Sequence, residues 1–259
     1  MNTKSVVRLP IALLGVLVLL SQGGCASLPG ADPRDPLEPI NRTVYRFNDV
    51  VDRAFLKPVA TAYNQYAPKP VRDGVTNFFS NVSDVWSFTN NVAQLKPNES
   101  AETFMRVSVN TVLGLGGVLD IASEIGLEQH KEDFGQTLGY WGVPPGPYLV
   151  LPVLGPSTVR DVVGLRVDSL GNVIYDVDPI RVRNQVLVMN AVDTRASYLR
   201  AGQVLEEAAL DPYSFIRDVY LQKRRNDIHD GQPPADEEDV TPAADTAAAP
   251  QPRAAASAP

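Results

Sequence analysis

The chain is poor in the side chains on which most site chemistry depends. Of its 259 residues, one is cysteine and two are histidine. A disulfide within the chain is therefore impossible. His130 and His229 lie far apart without cysteine partners, so the usual zinc spacings are absent as well. There is no phosphate-binding loop and no dinucleotide fingerprint, and Gly155-Pro156-Ser157-Thr158-Val159 lacks the second glycine of a nucleophile elbow. The acid pairs Glu132-Asp133 and Glu206-Glu207 read as helix surface, because adjacent side chains on a helix point in different directions. These absences point away from an enzyme, a metal centre and a bound cofactor. Positive charge is scarce too: the formal net charge is -7, which argues against nucleic acid or bulk anionic membrane as an electrostatic partner. Long apolar runs are missing beyond Ile11 to Leu20, which is too short to cross a hydrocarbon core of about 30 Å.

What the chain does have begins with that run. Lys4 and Arg8 precede it and Leu20-Ser21-Gln22-Gly23-Gly24-Cys25-Ala26 follows it, the pattern of an export signal. A lone cysteine behind two glycines is where bacterial lipoprotein precursors are cut and acylated, so Cys25 is the expected lipid anchor. Gln22 stands where an aliphatic residue is usual, and an ordinary secretory signal with an incidental cysteine is the competing reading. Buried acyl chains contribute about 0.8 kcal/mol per methylene, and two or more make anchoring stable. Ala26 in place of an aspartate favours the outer membrane under the sorting rule of bacterial lipoproteins. Removing residues 1–24 leaves 235 residues with a formal charge near -9, enough for one large domain or two small ones. Residues 25–38 read as an acylated linker, long enough to reach roughly 50 Å. Residues 39–229 read as an α-helical membrane-associated body, and residues 230–259, rich in Ala, Pro and acids, as a disordered tail.

The body reads as mainly α. In Pro39 to Phe55, the residues Ile40, Val44, Phe47, Val51 and Phe55 recur at helical spacing, with Arg42, Arg46, Asp49 and Arg53 on the solvated side. A short helix is expected from Pro58 to Tyr66 and a stronger stripe from Val71 to Val85, with Asn77, Asn81, Asn90 and Asn91 interrupting or ending helices. Pro97-Asn98-Glu99-Ser100 reads as a helix entry, as does Asp211-Pro212. From Ser157 the helical pattern runs on to Leu170, and from Asp178-Pro179 to about Ala209. Lys223-Arg224-Arg225 sits at a helix C-terminus, where dipole complementation and solvation explain it better than phosphate contact.

Two stretches carry no charge. Val107 to Leu119 matches a buried core helix ending at a glycine cap as well as it matches a re-entrant or interfacial segment. Gly114, Gly116 and Gly117 weaken a simple helix and suggest a bend or a close backbone approach. Gly135 to Val159 holds five prolines and five glycines in 25 residues, which excludes a transmembrane helix because the freed backbone groups would lack partners in lipid. Tyr140, Trp141 and Tyr148 suit a headgroup boundary or a plain aromatic core.

Several motifs in one order resemble the MlaA (VacJ) family of lipoproteins. They are Asp35-Pro36-Leu37-Glu38-Pro39-Ile40-Asn41-Arg42, Asn110-Thr111-Val112-Leu113-Gly114, Phe134-Gly135-Gln136-Thr137-Leu138-Gly139-Tyr140, Gly146-Pro147-Tyr148-Leu149-Val150-Leu151-Pro152 and Asp211-Pro212-Tyr213. The resemblance covers roughly Asp35 to Arg225. It implies a ring-like bundle of amphipathic helices with irregular Gly/Pro-rich segments, lying in the periplasmic leaflet of the outer membrane around an amphipathic channel. It also implies removal of mislocalised phospholipid from the outer leaflet, with a trimeric porin and a periplasmic lipid-binding carrier as partners, so that lipid asymmetry is kept. Within that frame Val107 to Gly126 is expected to form a hairpin that lines or gates the channel through Gly114, Gly116, Gly117 and Asp120. Tyr140, Trp141, Tyr148, Leu149 and Leu151 are expected at a membrane- or channel-facing surface. The alternative, a structural or scaffolding lipoprotein without transport, would show charged helix faces throughout.

Overall fold

A computed structural model describes residues 32–234. Cys25, the export signal and most of the acidic tail lie outside the described residues. Helix α1 spans Glu38–Val51 and runs through one π turn, Asp52–Leu56, into α2, Lys57–Tyr66. Helices α3, Lys69–Ala93, and α4, Pro97–Val112, form a long helical hairpin. Two short helices follow, α5 at Ile121–Glu124 and α6 at Phe134–Tyr140. Strands β1, Tyr148–Leu151, and β2, Gly155–Thr158, pair antiparallel with Tyr148 opposite Thr158. The chain then closes with α7, Val159–Gly171, α8, Ile180–Ser197, α9, Leu199–Ala208, and α10, Pro212–Ile228. The small strand pair was not expected, since four residues a strand leave no alternation long enough to read.

Local chemistry accounts for the boundaries. Prolines occupy the first turn of α1, α2, α3, α4 and α10, where the missing N–H is not needed. The Asp120, Asp133, Thr158 and Asp211 side chains accept from backbone amides of the first turns of α5, α6, α7 and α10, satisfying donors that the helix itself cannot. Contacts between elements close a circuit. Helix α1 packs on β1, β2 on α10, α10 on α6, α6 on α3, α3 on α8 and α8 on α2, which the π turn joins back to α1. The bundle is mainly α, with its helices in a closed round of neighbours.

The burial pattern is inverted relative to the usual globular protein. Among the described residues the buried hydrophobics are only Ala60, Ala122, Tyr148, Val150, Ile174, Val192 and Tyr213, against about three times as many buried polar or charged residues. On α3 the buried positions are Gly74, Asn81, Asp84, Ser87, Asn90 and Asn91, while Val71, Phe78, Val85 and Val92 are exposed. Val71, Phe78 and Val85 of the apolar stripe seen in the sequence thus face outward while Val75, Phe79 and Val82 are half-buried, and Asn81, Asn90 and Asn91 do not interrupt the helix but line its inner face. Helix α1 behaves alike: Asn41 is 2 % exposed, whereas Ile40 is 62 % and Phe47 53 % exposed. Arg42, expected on the solvated side, is partly buried in a bidentate pair with Asp211, its Nη1 and Nη2 at 3.1 and 2.6 Å from the carboxylate oxygens. Scattered exposed apolar residues are ordinary, but whole exposed apolar helix faces over a polar interior mark an interaction surface.

One cluster is packed conventionally. Tyr148, Val150 and Tyr213 form it, with Val44, Tyr45, Tyr220 and Leu221 against them. The Tyr45 and Tyr213 rings meet edge to face at 5.7 Å, and Tyr148 lies 6.4 Å from Tyr213. Tyr148 is 1 % exposed, so it is a core residue and not a membrane- or channel-facing one. The strand's alternation puts its ring on the inner face.

Candidate functional site

The turn between α4 and α5 is built by its glycines. Leu115, Gly116 and Gly117 take φ of 56°, 73° and 94° in succession, a left-handed run that glycine tolerates and side chains resist. A Cβ on Gly114 would stand 2.2 Å from the Leu119 carbonyl oxygen, and one on Gly117 2.6 Å from Asn81 Nδ2. A Cβ on Gly116 meets nothing within 4 Å. Gly114 and Gly117 are therefore demanded by close packing, and Gly116 by backbone conformation alone. The turn is also clasped to α3, where Asn77 Nδ2 donates to the Val118 carbonyl at 3.1 Å.

Asp120 anchors the root of this turn. Its carboxylate accepts from Asn110 Nδ2 at 2.9 Å, from Ser123 Oγ at 2.6 Å and from Arg106 Nη2 at 3.2 Å. Burial pushes the Asp120 carboxyl up, but these donors and the Arg106 charge outweigh it and hold the group below its ordinary value. Arg106 also donates to the Leu127 carbonyl at 2.6 Å and faces Asp84 at 3.6 Å. Asp84 lies the other way: burial pushes its carboxyl above the ordinary value against the pull of Gln129 and Arg106. Outside this polar root Val112, Leu113 and Leu115 are exposed. The turn has a hydrogen-bonded base and an apolar tip.

The second neutral stretch divides in two. Tyr140 and Trp141 are exposed and stack edge to face at 5.6 Å, with Lys96 Nζ 5.3 Å from the centre of the Tyr140 ring. Trp141 Nε1 donates to the Ala93 carbonyl at 3.1 Å, tying the ring to the end of α3. Further on, Leu149 and Leu151 are half-buried on the outer side of β1, and Val153 and Leu154 are exposed at the strand turn. The strand pair is held by two asparagines, Asn41 and Asn48, whose role the sequence did not reveal. Asn41 accepts from the Val150 amide at 2.9 Å and donates to the Tyr148 carbonyl at 3.0 Å. Asn48 accepts from the Val153 amide at 2.7 Å and donates to the Leu151 carbonyl at 2.9 Å. Seven helical residues and three extended ones both advance about 10 Å, so α1 serves as a third strand. Two asparagines seven apart on one helix face were the available signal.

Charged residues that were expected at the surface are interior. Glu132 is buried, accepting from Gln94 Nε2 at 2.7 Å and Lys96 Nζ at 3.1 Å. Arg224 reaches Asp133 with both terminal nitrogens at 2.6 Å and Asp161 at 3.0 Å, so it neither caps the α10 dipole nor awaits a phosphate. Burial pushes the Asp133 and Asp161 carboxyls up, and the Arg224 guanidinium more than reverses this, leaving both below their ordinary range. Among the described residues no group of three metal-ligating side chains forms, and no helix is long and apolar enough to cross a membrane.

Comparison with known proteins agrees with this geometry. Residues 33–227 match the family model for MlaA lipoprotein. Two relatives named intermembrane phospholipid transport system lipoprotein MlaA come from Shigella flexneri and Haemophilus influenzae. The first is 37 % identical, with 83 % of this chain and 86 % of the relative covered. The second is 35 % identical, with 90 % of this chain and 93 % of the relative covered. A solved structure described as the structural basis for maintenance of bacterial outer membrane lipid asymmetry superposes with a TM-score of 0.67 at 35 % identity, covering 75 % of this chain and 98 % of that one. The polar interior, the glycine turn and the asparagine-held strands thus sit in a chain that belongs to the MlaA lipoprotein family.

Proposed function

We propose that this protein is an outer-membrane lipoprotein, anchored through Cys25 on the periplasmic face, that withdraws mislocalised phospholipid from the outer leaflet. In this reading it works beside a trimeric porin and hands the lipid to a periplasmic carrier, with no catalytic step of its own. The observation that carries the reading is the inverted burial. Apolar faces on α1, α3 and α4 are exposed while asparagines, aspartates and arginines fill the interior. Exposed apolar surface forfeits about 25 cal/mol per Å² in water and forfeits nothing in hydrocarbon. A charged group at the bilayer centre costs at least about 2.5 kcal/mol on insertion scales, so a polar interior offers a headgroup a cheaper lane.

The turn carrying Gly114, Gly116, Gly117 and Asp120 is assigned to the edge of that lane, moving as a unit about its Arg106-Asp120 root. Tyr140, Trp141, Leu149 and Leu151 are assigned to lipid contact. Outer-leaflet phospholipid in cells lacking the protein, compared with cells restored by the wild-type chain or by Cys25→Ala, tests the reading. Accumulation cured only by the acylatable chain supports it. Absence of accumulation, with normal detergent resistance, overturns it in favour of a scaffolding role.

A further inference from the structure

A cleft of about 240 Å³ opens between α1, the strand pair, α8, α9 and α10. One wall is the polar face of α1 and its π turn, with Asn48, Asp49, Asp52 and Arg53, and the facing wall carries Arg195 and Glu206. The rest is apolar, supplied by Val150, Pro156, Leu205 and Ile216. Single π turns within helices are frequent at functional sites, and this one contributes Asp52 and Arg53.

The charges of the cleft differ in how firmly they are committed. Arg195 is fixed by Asp52 through Nε at 2.7 Å and Nη2 at 2.8 Å. Arg53 is 61 % exposed and holds Asp49 by one contact at 2.9 Å. Glu206 is half-exposed and meets Lys57 at 2.8 Å. Arg53 can therefore turn to a phosphate and Glu206 to an ammonium without leaving a buried charge unpaired. Three acids and two bases line the cleft, so it has no positive field with which to favour an anionic ligand over a zwitterionic one.

We infer that this cleft holds the zwitterionic headgroup of a phospholipid, its phosphate on Arg53 and its ammonium at Glu206, with the glycerol end against Leu205 and Ile216. The inference rests on the transport reading and adds a headgroup site and its charge preference. The same phosphodiester chemistry could come from a soluble headgroup, and the apolar wall decides for the lipid.

The test uses the full acylated chain in detergent and titrates dihexanoyl phosphatidylethanolamine, dihexanoyl phosphatidylglycerol and glycerophosphoethanolamine. The ethanolamine lipid should bind about fivefold or more tighter than either other probe. Gly202 lies on α9 at the cleft, and a Cβ there would meet Arg195 Nη1 at 3.8 Å, an ordinary contact. Gly202→Phe, which fills the cleft, should weaken binding about tenfold, and Arg53→Gln should weaken it severalfold. Equal or tighter binding of the glycerol lipid, equal binding of glycerophosphoethanolamine, or wild-type binding by either variant overturns the inference. In cells, variants that restore lipid asymmetry as fully as the wild type sink the cleft alone, whereas failure of the wild type itself sinks the transport reading.

Discussion

Helix α3 and the Tyr148 cluster are built on opposite principles within one small body. Around Tyr148, Val150 and Tyr213 the rule of a soluble protein holds, with aromatic rings packed edge to face and little exposure. Along α3 the rule is reversed, with Asn81, Asp84, Asn90 and Asn91 inside and Val71, Phe78 and Val85 outside. On the proposed transport reading the difference suits two surroundings: a conventional core about Tyr148, and an apolar medium against the outer faces of the long helices. Much of the polar interior is paired, although Asn81 Oδ1, Asp84 Oδ2 and Asn91 Oδ1 on α3 have no hydrogen-bond partner among the described residues. Thr137 Oγ1 donates to Asn90 Oδ1 at 2.9 Å and Gln94 Nε2 donates to Glu132 at 2.7 Å, bonds that offset the desolvation of these groups.

Breaking one interior pair should therefore cost more than any change to the outer faces. Arg106→Leu removes the cation that Asp84 and Asp120 share, and unfolding free energy in mild detergent should fall by about 3–5 kcal/mol. Tyr148→Ala, in the conventional core, should cost about 3 kcal/mol in the same assay. Gly117→Ala adds a clash with Asn81 to an unfavourable φ, and should cost about 2 kcal/mol, whereas Gly116→Ala, strained by φ alone, should cost about 1 kcal/mol. Equal losses at the two glycines would mean that packing against α3 contributes nothing.

A pH titration sharpens the comparison further. Asp133 and Asp161 are held below their ordinary values by Arg224, so the stability they add is present above the unfolded carboxylate value of about 3.9. It is lost as pH falls through their folded values. The stability difference between the wild type and Arg224→Met should accordingly shrink on acidification below about pH 4. A difference that grows instead would contradict the pairing. Smallest of all, Phe47→Ser on the exposed face of α1 should change unfolding free energy by less than about 0.5 kcal/mol while weakening vesicle association.

Much of the fold was legible in periodicity and punctuation. The helices from Pro39 to Tyr66, the entry at Pro97 and the start at Asp211-Pro212 stand where proline and N-cap chemistry put them. The direction of each face was not legible, because helical spacing reports that Val71, Phe78 and Val85 share a side and is silent on which medium that side meets. The asparagines misled for the same reason: their low helix propensity outweighs nothing once Ser87, Asn90 and Asn91 find interior partners. Arg224 looked like a helix-end cation because its acceptors, Asp133 and Asp161, lie 91 and 63 residues away. The glycine turn was visible as a bend, but the contacts that explain Gly114 and Gly117 are tertiary and have no local signature.

Spin labels on the full acylated chain in vesicles measure directly which surface meets lipid. Nitroxides placed singly at Phe47, Phe78 and Val112 should collide more with dissolved oxygen than with a water-soluble nickel complex, while one at exposed Arg34 should show the reverse. If the three apolar positions favour the nickel complex as Arg34 does, the outer faces of α1, α3 and α4 lie in water and the inverted burial has another cause.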